Sequence, residues 1–301
     1  MFFLKKHDIN GVLLLDKPKG FSSNYILQKI KKNFFIKKAG YIGTLDPLAT
    51  GVLPICFGFS TKFIKYFNIL DKKYFVLSKL GEKTNTSDAY GYVIKKKKKY
   101  IFYSKLLNVL KNFHGLQKQL PSMYSAIKFC GIPLYKYARE EIFIPLKKRK
   151  INIYNINLIF FKKDILCFKV HCSKGTYIRT LVENLGDKLG CGAHILNLRR
   201  LQISSYYESN LISYNIIKKI FKKKNNIEFL KKNIISTDTL VSSFPKIYIS
   251  KKQLSILKSG NKIFFISFYV GFYSIYLSFK NIFLGVGKIK KDGFLYPDCI
   301  I

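Results

Sequence analysis

The sequence predicts an α+β fold with a small β-rich segment at its C-terminus, on three observations. Runs with strand character and amphipathic helices follow one another without the regular alternation that builds a parallel sheet. Apolar residues make up 48% of the 301-residue chain, enough for a large core and too many for a disordered chain. Past Phe244 the helical periodicity gives way to short strands.

Taken in order, Gly11–Leu15 is an apolar run delivered into Asp16-Lys17-Pro18-Lys19-Gly20, a strand followed by a turn. Ser22 or Ser23 then caps a helix with Ile26, Leu27 and Ile30 on one face. Tyr74–Leu80 and Tyr90–Ile94 read as strands, and the lysine run Lys95–Lys99 as a solvated loop. Ser104 stands where it can cap a helix whose Leu106, Leu107, Leu110 and Phe113 keep the 3.6-residue period. Leu166, Phe168, Val170 and Cys172 alternate with Cys167, Lys169 and His171, as in a half-buried strand. A helix from about Tyr177 carries Ile178, Leu181, Val182, Leu185 and Leu189 on one stripe, and Gly190 ends it.

Residues 215–240, rich in lysine and asparagine, read as a connecting region. Beyond it, Ile282–Ile289 is a strand and Lys291-Asp292-Gly293 a hairpin turn. Ile263–Phe279 is uncharged and approaches membrane-spanning length. Its glycine, serines, tyrosines and β-branched residues favour two buried strands around a turn near Gly271, with a membrane helix as the lesser alternative.

The chain carries 54 Lys and Arg against 16 Asp and Glu, a net charge of +38 that makes a polyanion the expected partner. Arginine is confined to positions 139, 149, 179, 199 and 200, while Lys, Ile, Asn, Phe and Tyr abound. Drift in an A/T-rich genome produces this composition, so part of the charge is background. The cysteines (56, 130, 167, 172, 191, 299) form no CxxC pair. His171, Cys172, Cys191 and His194 match no common zinc spacing, so buried free thiols in a reducing cytoplasm are expected. The N-terminal MFFLKKHDINGVLLLDKPKG lacks a small-residue cleavage site and does not read as a secretory signal.

The most distinctive stretch is Ala39–Gly51. In a chain poor in alanine it holds two alanines, three glycines and a proline, residue types chosen for what they do to the backbone. Pro47 disfavours helical geometry at Asp46, and Leu45 and Leu48 can anchor the loop, so one carboxylate is presented from a stiff segment. An Asp-Pro pair on its own is more often a helix start, and that alternative stands beside the site reading.

Several segments, in order, carry a resemblance. They are Gly11–Ser23, Gly43–Gly51, Lys73-Tyr74, Thr84–Ala89, Gln119–Ala126, Cys172–Thr180 (with Gly-Thr-Tyr-Ile-Arg at its centre) and Leu189–His194. Together they span roughly residues 8 to 205 and resemble the bacterial tRNA pseudouridine synthase B family. The resemblance implies a mixed, largely antiparallel sheet with flanking helices around an RNA-binding cleft. Residues 1–240 would be catalytic, with 121–150 an insertion that grips RNA through Lys128, Lys136 and Arg139. Residues 245–301 would form a small RNA-binding β-barrel, intact or degenerate.

It further implies isomerisation of uridine 55 in the TΨC loop of tRNA by a monomeric cytoplasmic enzyme without metal or organic cofactor. Asp46 would act on the ribose, by nucleophilic attack or by an elimination route, and the sequence leaves both open. Arg179 would hold Asp46 in its charged form; the plain alternative is a surface pair with Glu183. Tyr74 would stack on the flipped uracil and assist proton removal from C5, with Tyr177 and Leu198 lining the same pocket. Tyr41 stands where the family usually has histidine and would fill the gap left by the flipped nucleotide. Lys17 would meet RNA or brace the loop, and Arg199 and Arg200 would contact phosphate or the loop around Leu198. Competing readings are a non-catalytic RNA chaperone and a glycosidase or nucleosidase; the latter would need a paired acid such as Asp88, but Thr84–Asp88 reads more simply as a turn.

Overall fold

The computed structural model describes residues 7–67, 71–97, 100–221, 226–265 and 269–301. The strands, in chain order, begin with β1 (Gly11–Lys17), β2 (Ala39–Tyr41), β3 (Thr50–Phe57), β4 (Lys72–Leu80), β5 (Glu82–Thr84), β6 (Val93–Lys96) and β7 (Gly115–Gln119). They continue with β8 (Lys128–Phe129), β9 (Ile132–Pro133), β10 (Arg149–Lys162), β11 (Ile165–Cys172), β12 (Ala193–Ile203), β13 (Tyr206–Tyr207) and β14 (Ile212–Ser213). The last five are β15 (Lys246–Ile249), β16 (Ile263–Phe264), β17 (Gly271–Leu277), β18 (Ile282–Ile289) and β19 (Phe294–Ile300).

The large sheet runs β14-β1-β3-β12-β4-β11-β10-β7, with β2 on β3 and β13 on β12. Its ladders are antiparallel except β1 with β14 and β3 with β12. This is the mixed, largely antiparallel sheet that the resemblance implies. The parallel pairing of Thr50 with Arg199 and Gly51 with Arg200 joins the end of the Ala39–Gly51 stretch to the sheet's middle. Helices α1 (Ser23–Asn33), α3 (Tyr103–Lys111) and α5 (Ile178–Leu189) pack into the main core, as do α6 (Tyr214–Ile220) and α7 (Asn226–Asn233), while the short α2 (Ile64–Phe67) and α4 (Leu134–Arg139) lie elsewhere. On α5, Leu181, Val182, Leu185 and Leu189 are almost wholly buried, each stabilising the fold by about 1.5–3 kcal/mol. Gly190 ends the helix in the left-handed conformation (φ 81°).

Ser22 caps α1 by accepting from the Tyr25 amide at 3.1 Å. Three expected elements move. The turn before β6 extends through Tyr92, because Asp88 and Asn85 accept the amides of Tyr90 and Tyr92, so the strand starts at Val93 and includes Lys95 and Lys96. Lys98 and Lys99 lie outside the described residues. Helix α3 begins at Tyr103 with Phe102 at the cap, which leaves Ser104 inside the helix. The stretch 215–240 is part of the body: Ile217 and Leu230 enter the main core, and Ile235 exchanges two backbone hydrogen bonds with Val12.

The five C-terminal strands form a second sheet in the order β15-β17-β18-β19-β16, with a core of its own. Gly271 opens β17 instead of making a turn, and β16 pairs with β19; residues 266–268 of this stretch lie outside the described residues. Among the described residues no helix is long and apolar enough to cross a membrane. A shared apolar layer joins the two sheets, with Phe63 against Phe283, and Tyr66 against Phe244 and Phe272. Lys65 and Tyr66 also meet the Asp298 carboxylate.

Candidate active site

Between β2 and β3 the chain leaves the sheet as a loop, and Asp46 stands on it in non-helical backbone, so the helix-start alternative for Asp-Pro fails. Leu45, Leu48 and Ala49 are buried and pin the loop to the core. Ser23, free of capping duty, fixes Leu45 twice, accepting from its amide at 2.9 Å and donating to its carbonyl at 3.0 Å.

Two buried cations hold the loop from below. Lys17 is fully buried and donates to the carbonyls of Pro18, Pro47 and Ala49 at 2.8, 3.4 and 2.7 Å. Burial lowers its ammonium pKa to about 8 against the opposing pull of Asp46. Of the two roles expected for Lys17, the geometry is that of the brace; the ammonium is sealed from a polyanion at the surface. Arg200, also fully buried, donates to Val52, Ile42 and Gly43 carbonyls. It too grips the loop in place of a phosphate, while Arg199 forms a bidentate pair with Asp16 and a contact with Glu208.

Arg179 rises from the first turn of α5, buried to 6% exposure, and does not pair with Glu183 at the surface. Its guanidinium clamps Asp46, with Nε 2.9 Å from Oδ2 and Nη2 3.1 Å from Oδ1. The remaining donors reach the carbonyls of Tyr124 (2.6 Å) and Thr86 (3.3 Å), and Asp88 Oδ2 lies 3.9 Å from Nη1. The fork geometry fixes both the position and the direction of the carboxylate. Asp46 keeps 35% side-chain exposure on the cleft side. Protein packed around the rest raises its pKa above the ordinary value, more than Arg179 lowers it, and Asp88 adds to the rise.

The cleft above Asp46 is a cavity of about 580 Å³ lined by Tyr74, Tyr177, Leu198, Arg179 and Asp46 among others. Tyr74 projects from β4 beside its cross-strand neighbour Arg200. Burial pushes the phenol up to about 12, against an opposing hydrogen bond and charge from Arg200. Asp46, Tyr74, Tyr177, Arg179 and Leu198 therefore share this cavity, and Arg200 lines it as well. Lys17 lies beneath the loop, and Tyr41 is half-buried at the end of β2, packed against the core outside the cavity lining. Sequence reasoning missed Lys72, Ser125 and Arg149, which line the same cavity. The Ser125 hydroxyl is buried without a hydrogen-bond partner of normal geometry. It also set Asp88 aside as a turn residue, although the buried carboxylate faces Arg179. Among the described residues no three His, Cys, Asp or Glu side chains converge as metal ligands.

Comparison with known proteins fits this geometry. Residues 31–178 match the N-terminal domain of TruB family pseudouridylate synthases. Residues 179–242 match the tRNA pseudouridylate synthase B C-terminal domain, and 245–301 the C-terminal region of pseudouridine synthase II TruB. The fold agrees with a solved chain from a Cbf5-Nop10-Gar1 complex at a TM-score of 0.71 and 26% identity, over 94% of this chain and 79% of that one. The matched family models thus place the chain among the pseudouridine synthases. "tRNA pseudouridine synthase B" of Buchnera aphidicola subsp. Acyrthosiphon pisum (strain APS) is 48% identical over 99% of this chain and 97% of its own. The protein of the same name from Mannheimia succiniciproducens is 42% identical over 98% and 96%. The chain belongs to the TruB family of pseudouridine synthases.

Proposed function

We propose that this protein isomerises uridine 55 in the TΨC loop of tRNA to pseudouridine, with Asp46 as the nucleophile on a flipped-out uridine. The observation that carries the reading is the Asp46–Arg179 clamp at the floor of a cleft walled by Tyr74, Tyr177 and Leu198. The names of the curated relatives support tRNA as the substrate.

A base must leave its stack to reach a carboxylate at that depth, and the tyrosine faces and Leu198 give it an apolar seat. An Asp46 oxygen attacks C1′ as the N1–C1′ bond breaks, and the uracil leaves with the electron pair. After the uracil turns, C5 bonds to C1′ and the carboxylate departs. The C5 proton is lost and N1 ends protonated, so the reaction is an isomerisation that consumes no oxidant or cofactor. Arg179 favours the ionised carboxylate before attack and again as it departs, and holds its direction. Tyr74, with its phenol held protonated near neutral pH, serves first as a stacking face. We infer a monomeric cytoplasmic enzyme with a catalytic unit over 1–240, in which 121–150 grips RNA, and an RNA-binding unit over 245–301.

The test is an unmodified tRNA transcript incubated with the wild type and with Asp46→Asn, followed by carbodiimide treatment and primer extension. A single stop in the TΨC loop with the wild type, absent with the variant, is expected. No stop with either protein, despite salt-sensitive binding of the tRNA, sinks the catalytic reading in favour of an RNA chaperone.

A further inference from the structure

Arg179 rests against a turn that also faces solvent. Residues 85–92 link β5 to β6, and here the Thr86 carbonyl lies 3.3 Å and Asp88 Oδ2 3.9 Å from the guanidinium. The turn is tied down on several sides. Ala89 donates to the Ile195 carbonyl and Ile195 to that of Ser87, while the Ser87 hydroxyl donates to Glu183 on α5 at 2.7 Å. Asp88 and Asn85 then accept the amides of Tyr90 and Tyr92 at 3.0 and 3.1 Å. Between these two tyrosines Gly91 packs inward. A Cβ on it would stand 2.2 Å from Asn85 Oδ1 and 2.4 Å from Thr86 Oγ1. The flanking side chains are left in water, Tyr90 at 53% exposure and Tyr92 at 68%. Two large aromatic rings are thus presented to solvent on a fixed backbone.

Rings held in this way lose little freedom when a partner stacks on them. The next strand supplies charge: β6 is exposed along its length and carries Lys95 and Lys96, the latter 3.5 Å from Glu82. Aromatic faces beside lysines suit unpaired nucleotides, since every base has a π-face and every internucleotide link a charge. The turn also touches the 121–150 insertion, where Asn85 donates to the Tyr124 hydroxyl at 3.5 Å. We propose that Tyr90 and Tyr92 form a stacking platform for unpaired bases of the substrate RNA, outside the cavity that takes the target uridine. This deepens the functional reading above and rests on looped RNA being the substrate. Asp88 holds the Tyr90 amide with Oδ1 and faces Arg179 with Oδ2. RNA seated on the platform therefore bears on the turn that meets the Asp46–Arg179 clamp.

The chain has no tryptophan, so Tyr90→Trp and Tyr92→Trp each install a single fluorescent reporter. Each is titrated with an unmodified tRNA transcript in an Asp46→Asn background. A base stacked on the ring should quench the emission, with affinity close to that of the tyrosine protein. Replacing both tyrosines by serine should weaken binding about tenfold and leave the salt slope unchanged, because the lost contact is uncharged. Replacing both by leucine should weaken it as much, since leucine keeps apolar surface but offers no π-face. Matching urea midpoints show that the variants fold. Unchanged emission from both reporters at saturating RNA overturns the proposal, as does wild-type affinity in the serine or the leucine protein. Emission that shifts with protein concentration before RNA is added assigns the face to a second copy of the chain and also overturns it. If the wild type leaves the transcript unmodified, the isomerase reading fails, while quenching and affinity still decide the platform.

Discussion

The backbone carbonyl of Arg200 lies 2.2 Å from where a Cβ on Gly51 would stand, and Gly51 holds φ at +98°. Backbone meets backbone here, so no rotamer change can open the space. Gly51→Ala should lower stability by about 2 kcal/mol or more and displace the Asp46 loop. Urea unfolding and pseudouridine formation, measured together, check it; wild-type values in both would refute the close approach.

The acid limb of activity reports on Asp46. The carboxylate acts ionised, and its pKa is raised above the usual value of about 3.9 by burial. Activity should therefore fall as pH drops through this raised value. Arg179→Met removes the cause that lowers the pKa, so the limb should move to higher pH as the rate drops. Asp88→Asn removes a cause that raises it, so the limb should move to lower pH. Profiles of single-turnover rate against pH test both signs, and shifts in a common direction would contradict the shared-guanidinium arrangement.

Lys17→Met separates bracing from RNA contact. It leaves the loop carbonyls of Pro47 and Ala49, and that of Pro18, without the ammonium that they share. Turnover should fall about tenfold or more through loss of positioning, with tRNA affinity near that of the wild type. A loss of affinity with unchanged turnover would restore the RNA-contact role.

Removing residues 245–301 should not leave a clean catalytic unit. Phe63 and Tyr66 would lose Phe283 and Phe272, and Lys65 and Tyr66 would lose Asp298. The truncated protein should melt several degrees lower and bind a hydrophobic dye more strongly, because an apolar layer becomes solvent-exposed. A truncated protein with the melting temperature of the full chain would show that the interface contributes little.

The sequence exposed the parts of this molecule that depend on local pattern. The α5 stripe from Ile178 to Leu189 and its glycine stop stand where the periodicity puts them. Pro47 and the neighbouring glycines made the Asp46 loop stand out, and the scarcity of arginine favoured Arg179, but the resemblance of the surrounding motifs is what gave both residues their expected roles. What stayed hidden depends on strands far apart in sequence meeting in the sheet. Lys72 reads as one lysine among many until β4 carries it beside Tyr74 into the cleft. Arg200 reads as a contact to phosphate or to the loop around Leu198 until the β3–β12 pairing turns it under the Asp46 loop. Asp88 passes for a turn residue because its hydrogen bonds to Thr86 and Tyr90 are those of a turn. Only its tertiary position brings it to Arg179.

Lys17 and Arg200 grip the Asp46 loop almost wholly through its carbonyl oxygens. Every amino acid supplies that oxygen, so this part of the hold is indifferent to which side chains the loop carries, beyond the buried Leu45, Leu48 and Ala49. A lineage whose codons slide toward lysine, isoleucine and asparagine can rewrite much of its surface without loosening such a grip. Substitution is costly at the two gripping cations, at the glycines that pass close to Arg200, at Ser23 and the buried anchors of the loop, and at the Asp46–Arg179 pair. The geometry of the site is thereby insulated from the mutational bias recorded in the rest of the chain.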